Sequence, residues 1–168
     1  MKEKYINYFM KVAEETANLS KCQRLKVGSV IVKDNRIISC GYNGLPAGWE
    51  PDEPETQIII PEPAFQVLPK DEQERFVSAH MDGQFRIWYT GLKTLDETIH
   101  SEANSISRLA ASSESGIGAY IFCTHTPCIQ CAKIIYGSGI TRVYYKHEYR
   151  STSGLEFLKK CNLEVLKV

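Results

Sequence analysis

Neither sign of charge is in surplus in this chain: 20 lysines and arginines meet 20 aspartates and glutamates over 168 residues. Without a basic excess there is no electrostatic bias toward a polyanion, which argues against a nucleic-acid partner and for a small substrate. No N-terminal apolar run has the form of a signal peptide, and no stretch approaches the roughly 20 apolar residues that cross a bilayer. A membrane partner is therefore not expected. Six cysteines occur without secretory features, so a disulfide framework is not expected, and a reducing, cytoplasmic setting is.

With 43% hydrophobic residues, the chain is long enough to bury a core, and residues 1–168 are expected to form a single domain. Residues 3–19 place Ile6, Phe9, Met10, Ala13 and Ala17 on one helical face. Val27–Val32 and Arg36–Tyr42 are strand candidates, and Asp34-Asn35 between them suits a two-residue hairpin turn. From Thr98 onward strands and helices alternate: a helix through Ala110, a strand at Ala119–Cys123, and a helix ending at Gly137-Ser138-Gly139. A strand at Arg142–Tyr145, a helix at Ser153–Lys160 and a strand at Glu164–Leu166 complete the series. Such alternation predicts α/β architecture with parallel pairing in the second half and an antiparallel hairpin before it.

The stretch 45–97 breaks this regularity. It holds six of the seven prolines and short apolar islands at Ile58–Ile60 and Phe85–Tyr89. A structureless loop of that length is unusual in a compact domain. An inserted subdomain with a short helix near Asp71–Ala79 is expected instead.

The chemistry concentrates in His100-Ser101-Glu102 and Pro127-Cys128-Ile129-Gln130-Cys131. One imidazole and two thiolates bind Zn²⁺ well, and a structural zinc normally takes four protein ligands. Three leave a vertex for water, whose pKa the ion lowers. Glu102 is then placed to move protons as general acid and base. Thr126 reads as a helix N-cap with Pro127 at the first helical position. Cys128 and Cys131 then share the first turn, where the helix dipole favours thiolate. Each part has a plainer explanation alone. Cys-x-x-Cys also serves redox chemistry or a closed zinc site, a lone histidine can be a cap, and a glutamate near a helix start compensates the dipole. The combination, with a histidine two residues before a glutamate, is that of zinc-dependent nucleobase deaminases.

Further stretches carry a family resemblance: Cys22-Gln23-Arg24 leading into Val27–Val32, Gly41-Tyr42-Asn43-Gly44, His100–Ile106, Thr124–Cys128 and Tyr144–Arg150. Together they resemble the cytidine-deaminase-like superfamily, and more narrowly the deoxycytidylate (dCMP) deaminases, from Tyr5 to Val165 outside the insert. The resemblance implies a three-layer α/β/α fold around a five-stranded mixed sheet, and zinc-dependent hydrolysis of dCMP to dUMP and ammonia, feeding thymidylate synthesis. It implies that Asn43 meets the sugar 3′-hydroxyl, that Arg24, Tyr149 and Arg150 take the 5′-phosphate, and that backbone at Ser101 and Thr126 holds the pyrimidine. It also implies a homo-oligomer, commonly a hexamer, with dCTP activating and dTTP inhibiting through Gly41, Tyr42, Asn43 and Gly44. On residues alone, Asn43-Gly44 also has a plainer reading as a turn, and Arg24, Tyr149 and Arg150 one as a solvated surface. Two departures stand out: Ser101 sits where the family usually has alanine, and 45–97 has no cysteine and only His80 as histidine. A second, structural zinc is therefore not expected.

Two other functions compete. A deaminase acting on dCTP or on a base in RNA or DNA would share the motif. A non-catalytic, zinc-stabilised interaction protein would close the site with a fourth ligand, His125 being nearest in sequence.

Overall fold

The computed structural model describes residues 1–168, which fall into two compact units. The first comprises Met1–Lys21, Lys26–Gly44 and Ile99–Val168; the second, Cys22–Leu25 and Leu45–Thr98.

The first unit is built on five strands. β1 (Gly28–Lys33) and β2 (Arg36–Tyr42) form the expected hairpin, with Asp34 and Asn35 both at positive φ. That is the backbone of the two-residue turn whose twist matches the flanking strands. β6 (Tyr120–His125), β7 (Arg142–His147) and β8 (Glu164–Lys167) follow, giving the order β2-β1-β6-β7-β8. β1 is antiparallel to both neighbours, whereas β6, β7 and β8 run parallel. This is a five-stranded mixed sheet.

Alternation of side chains along the strands separates two cores. Val30, Val32, Phe122 and Tyr144 face α1 (Glu3–Ala17), meeting Phe9, Met10 and Ala13. Phe122 and Tyr144 stack with centroids 4.5 Å apart. On the opposite face Ile31, Ile121, Cys123 and Val143 pack with Leu109 of α4 (Ser101–Ala110), Ala132 and Ile135 of α5 (Ile129–Gly137), and Leu158 of α6 (Ser153–Lys160). Fully burying each large apolar side chain contributes about 1.5–3 kcal/mol. These layers are the α/β/α arrangement.

The second unit has its own sheet. β3 (Glu55–Pro61), β5 (Ile87–Thr94) and β4 (Phe76–Met81) are antiparallel in the order β3-β5-β4. Phe65 of the short α2 (Glu62–Gln66) lies flat on Tyr89 at 3.7 Å and edge-on to Phe76 at 5.5 Å. The helix expected near Asp71–Ala79 is a correction: α3 spans only Lys70–Gln73, and Phe76 onward is strand. Four polar residues are too few to sustain a helix in water, while Phe76 gains a place on β5 opposite Gly91 and under Phe65.

Candidate active site and metal centre

His100 and Cys128 occupy equivalent places in different helices. Each is the extended cap residue before a helix start, with φ/ψ of −70/154 for His100 ahead of α4 and −68/169 for Cys128 ahead of α5. Because His100 precedes the helix, it does not diverge from Glu102 as two helical residues two apart would. The cap expected at Thr126 lies instead at Cys128, whose Sγ accepts from the Cys131 backbone N–H at 3.5 Å. Thr126 is engaged elsewhere, since its Oγ1 accepts from the Tyr149 N–H at 2.8 Å and its own N–H donates to His147 O at 2.9 Å. Pro127, with no N–H to give, lies outside the helix.

Close backbone approach fixes both caps. A Cβ on Gly154, at the start of α6, would lie 2.0 Å from Pro127 O. A Cβ on Gly41 would lie 2.4 Å from both Ser101 O and Ser105 N. Only glycine admits such contact.

His100, Cys128 and Cys131 offer ligand atoms all within 4.8 Å of one another. His100 Nδ1 is 3.5 Å from each sulfur. Zinc bonds of about 2.0 Å to nitrogen and 2.3 Å to sulfur, meeting at a tetrahedral angle, require a separation of about 3.5 Å. The donor set fits zinc. Taken on the protein's own groups, Cys128 is held down to about 3 by the hydrogen bond from Cys131 and then by His100. Sharing that proton, followed by burial, pushes Cys131 far up. Its bond to Cys128 raises His100. Cation binding displaces the shared proton and leaves two thiolates.

Glu102 is 4% exposed in the first turn of α4. Burial raises its pKa, while its own backbone N–H, the Ser101 hydroxyl and then His100 oppose the rise. A buried carboxyl next to a metal-binding trio is suited to taking up and returning protons.

The remaining expected residues fall into three places. Asn43 lies beside the site: Gly44 and Ile99 exchange backbone bonds at 3.1 and 2.9 Å, immediately before His100. Asn43 Oδ1 accepts from the Val27 N–H at 2.8 Å, and Asn104 Nδ2 reaches Tyr42 O at 2.9 Å. The Gly41–Gly44 stretch is thereby tied to the start of α4. Thr126 and Tyr149 are joined directly, and the Arg150 guanidinium lies 6.0 Å from the Tyr149 ring centroid. Arg24 belongs to the second unit. There Glu55 accepts from the Gln23 and Arg24 N–H groups at 2.7 and 3.2 Å, and Arg24 Nη1 donates to Thr94 Oγ1 at 3.0 Å. His125 stays outside the ligand trio, its Nδ1 3.1 Å from Thr124 Oγ1.

Sequence reasoning missed Ser29, Ser105, Glu55 and Thr94. Only Ser29 left a signal, as the one hydroxyl within the apolar run Val27–Val32.

An α/β/α sheet whose helix caps converge as a His-Cys-Cys group beside a buried glutamate defines a zinc-dependent hydrolase of the deaminase class. The family described as the cytidine and deoxycytidylate deaminase zinc-binding region matches residues 3–147. The chain is 35% identical over 141 residues to a deoxycytidylate deaminase of Mycobacterium phage D29, covering 84% of this chain and 93% of that protein. It is 33% identical to the deoxycytidylate deaminase of Enterobacteria phage T4, over 95% of this chain and 87% of that one. A crystal structure of the cyanophage S-TIM5 dCMP deaminase in complex with dCMP and dUMP superposes with a TM-score of 0.76. That chain is 32% identical, with 100% of this chain and 99% of that one covered. The chain belongs to the cytidine and deoxycytidylate deaminase family.

Proposed function

We propose that the protein hydrolyses dCMP to dUMP and ammonia, with His100, Cys128 and Cys131 as the zinc ligands and Glu102 as general acid and base. The observation that carries this reading is the trio at zinc-ligand separation beside a buried Glu102. Zinc, when bound, supplies Lewis acidity that makes water nucleophilic at neutral pH. Glu102 accepts a proton from that water as its oxygen bonds to C4 of the pyrimidine, and passes it to ring N3. The hydroxyl formed at C4 then gives its proton to Glu102, which delivers it to the exocyclic nitrogen as the C4–N bond breaks, leaving the carbonyl of dUMP and ammonia. Backbone at Ser101 and Thr126 holds the base, Asn43 meets the 3′-hydroxyl, and Arg24, Tyr149 and Arg150 receive the 5′-phosphate, which guanidinium groups suit.

The same proposal takes residues 1–168 as one catalytic domain carrying an insert at 45–97, working in the cytoplasm as a homo-oligomer such as a hexamer. No helix is long and apolar enough to cross a membrane. Regulation by dCTP and dTTP is supported by family membership alone. Because Gly41 is buried against α4, an effector would meet Tyr42, Asn43 and Gly44. Ammonia release by zinc-loaded protein from dCMP, deoxycytidine, CMP, dCTP and a single-stranded oligonucleotide, with and without dCTP and dTTP as effectors, tests the whole reading. Preference for the oligonucleotide or for dCTP would replace the substrate. No release from any of them would remove the activity.

A further inference from the structure

Glu102 is not alone at the head of α4. The Ser101 hydroxyl donates to Glu102 Oε2 at 2.9 Å, and both side chains are buried, Ser101 at 0% and Glu102 at 4% exposure. Beneath them, Ser29 Oγ of β1 lies 2.8 Å from Ser101 O and 3.0 Å from Ser105 Oγ. Ser105 Oγ lies 2.9 Å from Glu102 O. Ser29 and Ser105 are also fully buried. Their hydroxyls are satisfied by backbone and by each other, so they hold the first turn of α4 to the sheet. Ser101 is different, because its side-chain bond runs to the carboxylate.

We propose that Ser101 is a positioning residue for Glu102. Its hydroxyl donates to Oε2 and fixes the plane of the carboxyl group that exchanges protons with the reacting molecules. A carboxylate on a flexible side chain spends time in orientations that reach neither water nor base, and a single well-placed donor removes most of them. The gain falls on the proton-transfer step and not on binding. Ser101 thus has two separable parts: a backbone at the edge of the base and a hydroxyl committed to Glu102. This inference rests on Glu102 being the acid-base group.

The test uses zinc-loaded full-length protein carrying Ser101→Ala, Glu102→Ala or both, with dCMP turnover followed by a radiolabel assay that resolves the residual rate. Ser101→Ala removes one buried oxygen and adds no bulk. Loss of a hydrogen bond to a charged group predicts about a tenfold fall in kcat, with KM and the zinc content unchanged. In the Glu102→Ala background the same change has nothing left to position and should cost nothing further. A kcat equal to wild type in Ser101→Ala overturns the inference, as does an equal loss in both backgrounds, which marks a merely structural hydroxyl. A Glu102→Ala protein as active as wild type would instead remove the reading on which the inference rests.

Discussion

His100, Cys128, Cys131 and Glu102 were legible in the sequence because their chemistry is local: ligand type and spacing carry the information. Thr126 was not. Its threonine-proline pair has the form of a cap, yet the hydroxyl is drawn to the Tyr149 N–H, a partner that only the β6–β7 pairing brings near. Ser29 illustrates the same limit, since a hydroxyl inside an apolar strand shows its use only when α4 lies across it. Replacing Glu102 by alanine should lower kcat by roughly 10²–10⁴-fold, the usual share of general acid–base catalysis. The zinc content should remain at wild-type level, because the carboxylate is no part of the ligand trio. Metal analysis alongside steady-state kinetics separates these effects; loss of zinc in this variant would mean that Glu102 serves the metal and not the proton.

Elements were legible where hydrophobic period and turn chemistry agreed, as in the β1–β2 hairpin and the helices of the first unit. The second unit was not, because β3, β5 and β4 find their partners out of sequence order and α3 gives way to strand within three residues. That unit nevertheless explains how Arg24 is held. Glu55 of β3 fixes the backbone at Gln23 and Arg24, and Thr94 of β5 takes the guanidinium. If Arg24 receives phosphate, Glu55→Ala should raise KM for dCMP by about tenfold, the worth of a charge-assisted hydrogen bond. Turnover of deoxycytidine, which has no phosphate, should stay at its wild-type rate. An equal effect on both substrates would detach Arg24 from the phosphate. At α6, Gly154→Ala forces a Cβ against Pro127 O, 2.0 Å away. Overpacking of this kind costs about 1–3 kcal/mol, and the strain falls on the residue before Cys128. Competition with a chromogenic chelator should show zinc held more weakly than in wild type, by up to about a hundredfold if that strain falls wholly on the metal site, and unchanged affinity would show that α6 yields instead.

At the scale of the whole molecule, zinc joins two caps that are 28 residues apart in sequence. One opens α4 and the other opens α5, so the ion closes a loop around the segment that contributes α4 and β6. A ligand bound only by the folded form adds stability by mass action, about 2.7 kcal/mol at a hundredfold excess over its dissociation constant. That increment should be local, because all three ligand residues lie in the first unit. The second unit has its own sheet and its own aromatic cluster of Phe65, Phe76 and Tyr89. Hydrogen exchange with and without a chelator distinguishes local from global stabilisation. Protection should fall in the first turns of α4 and α5 and in the Thr126–Cys128 segment, while amides paired between β3, β5 and β4 keep theirs. Equal loss in both units would show that the metal holds the entire chain as a single cooperative body, and the insert would then depend for its folding on a site to which it contributes no ligand.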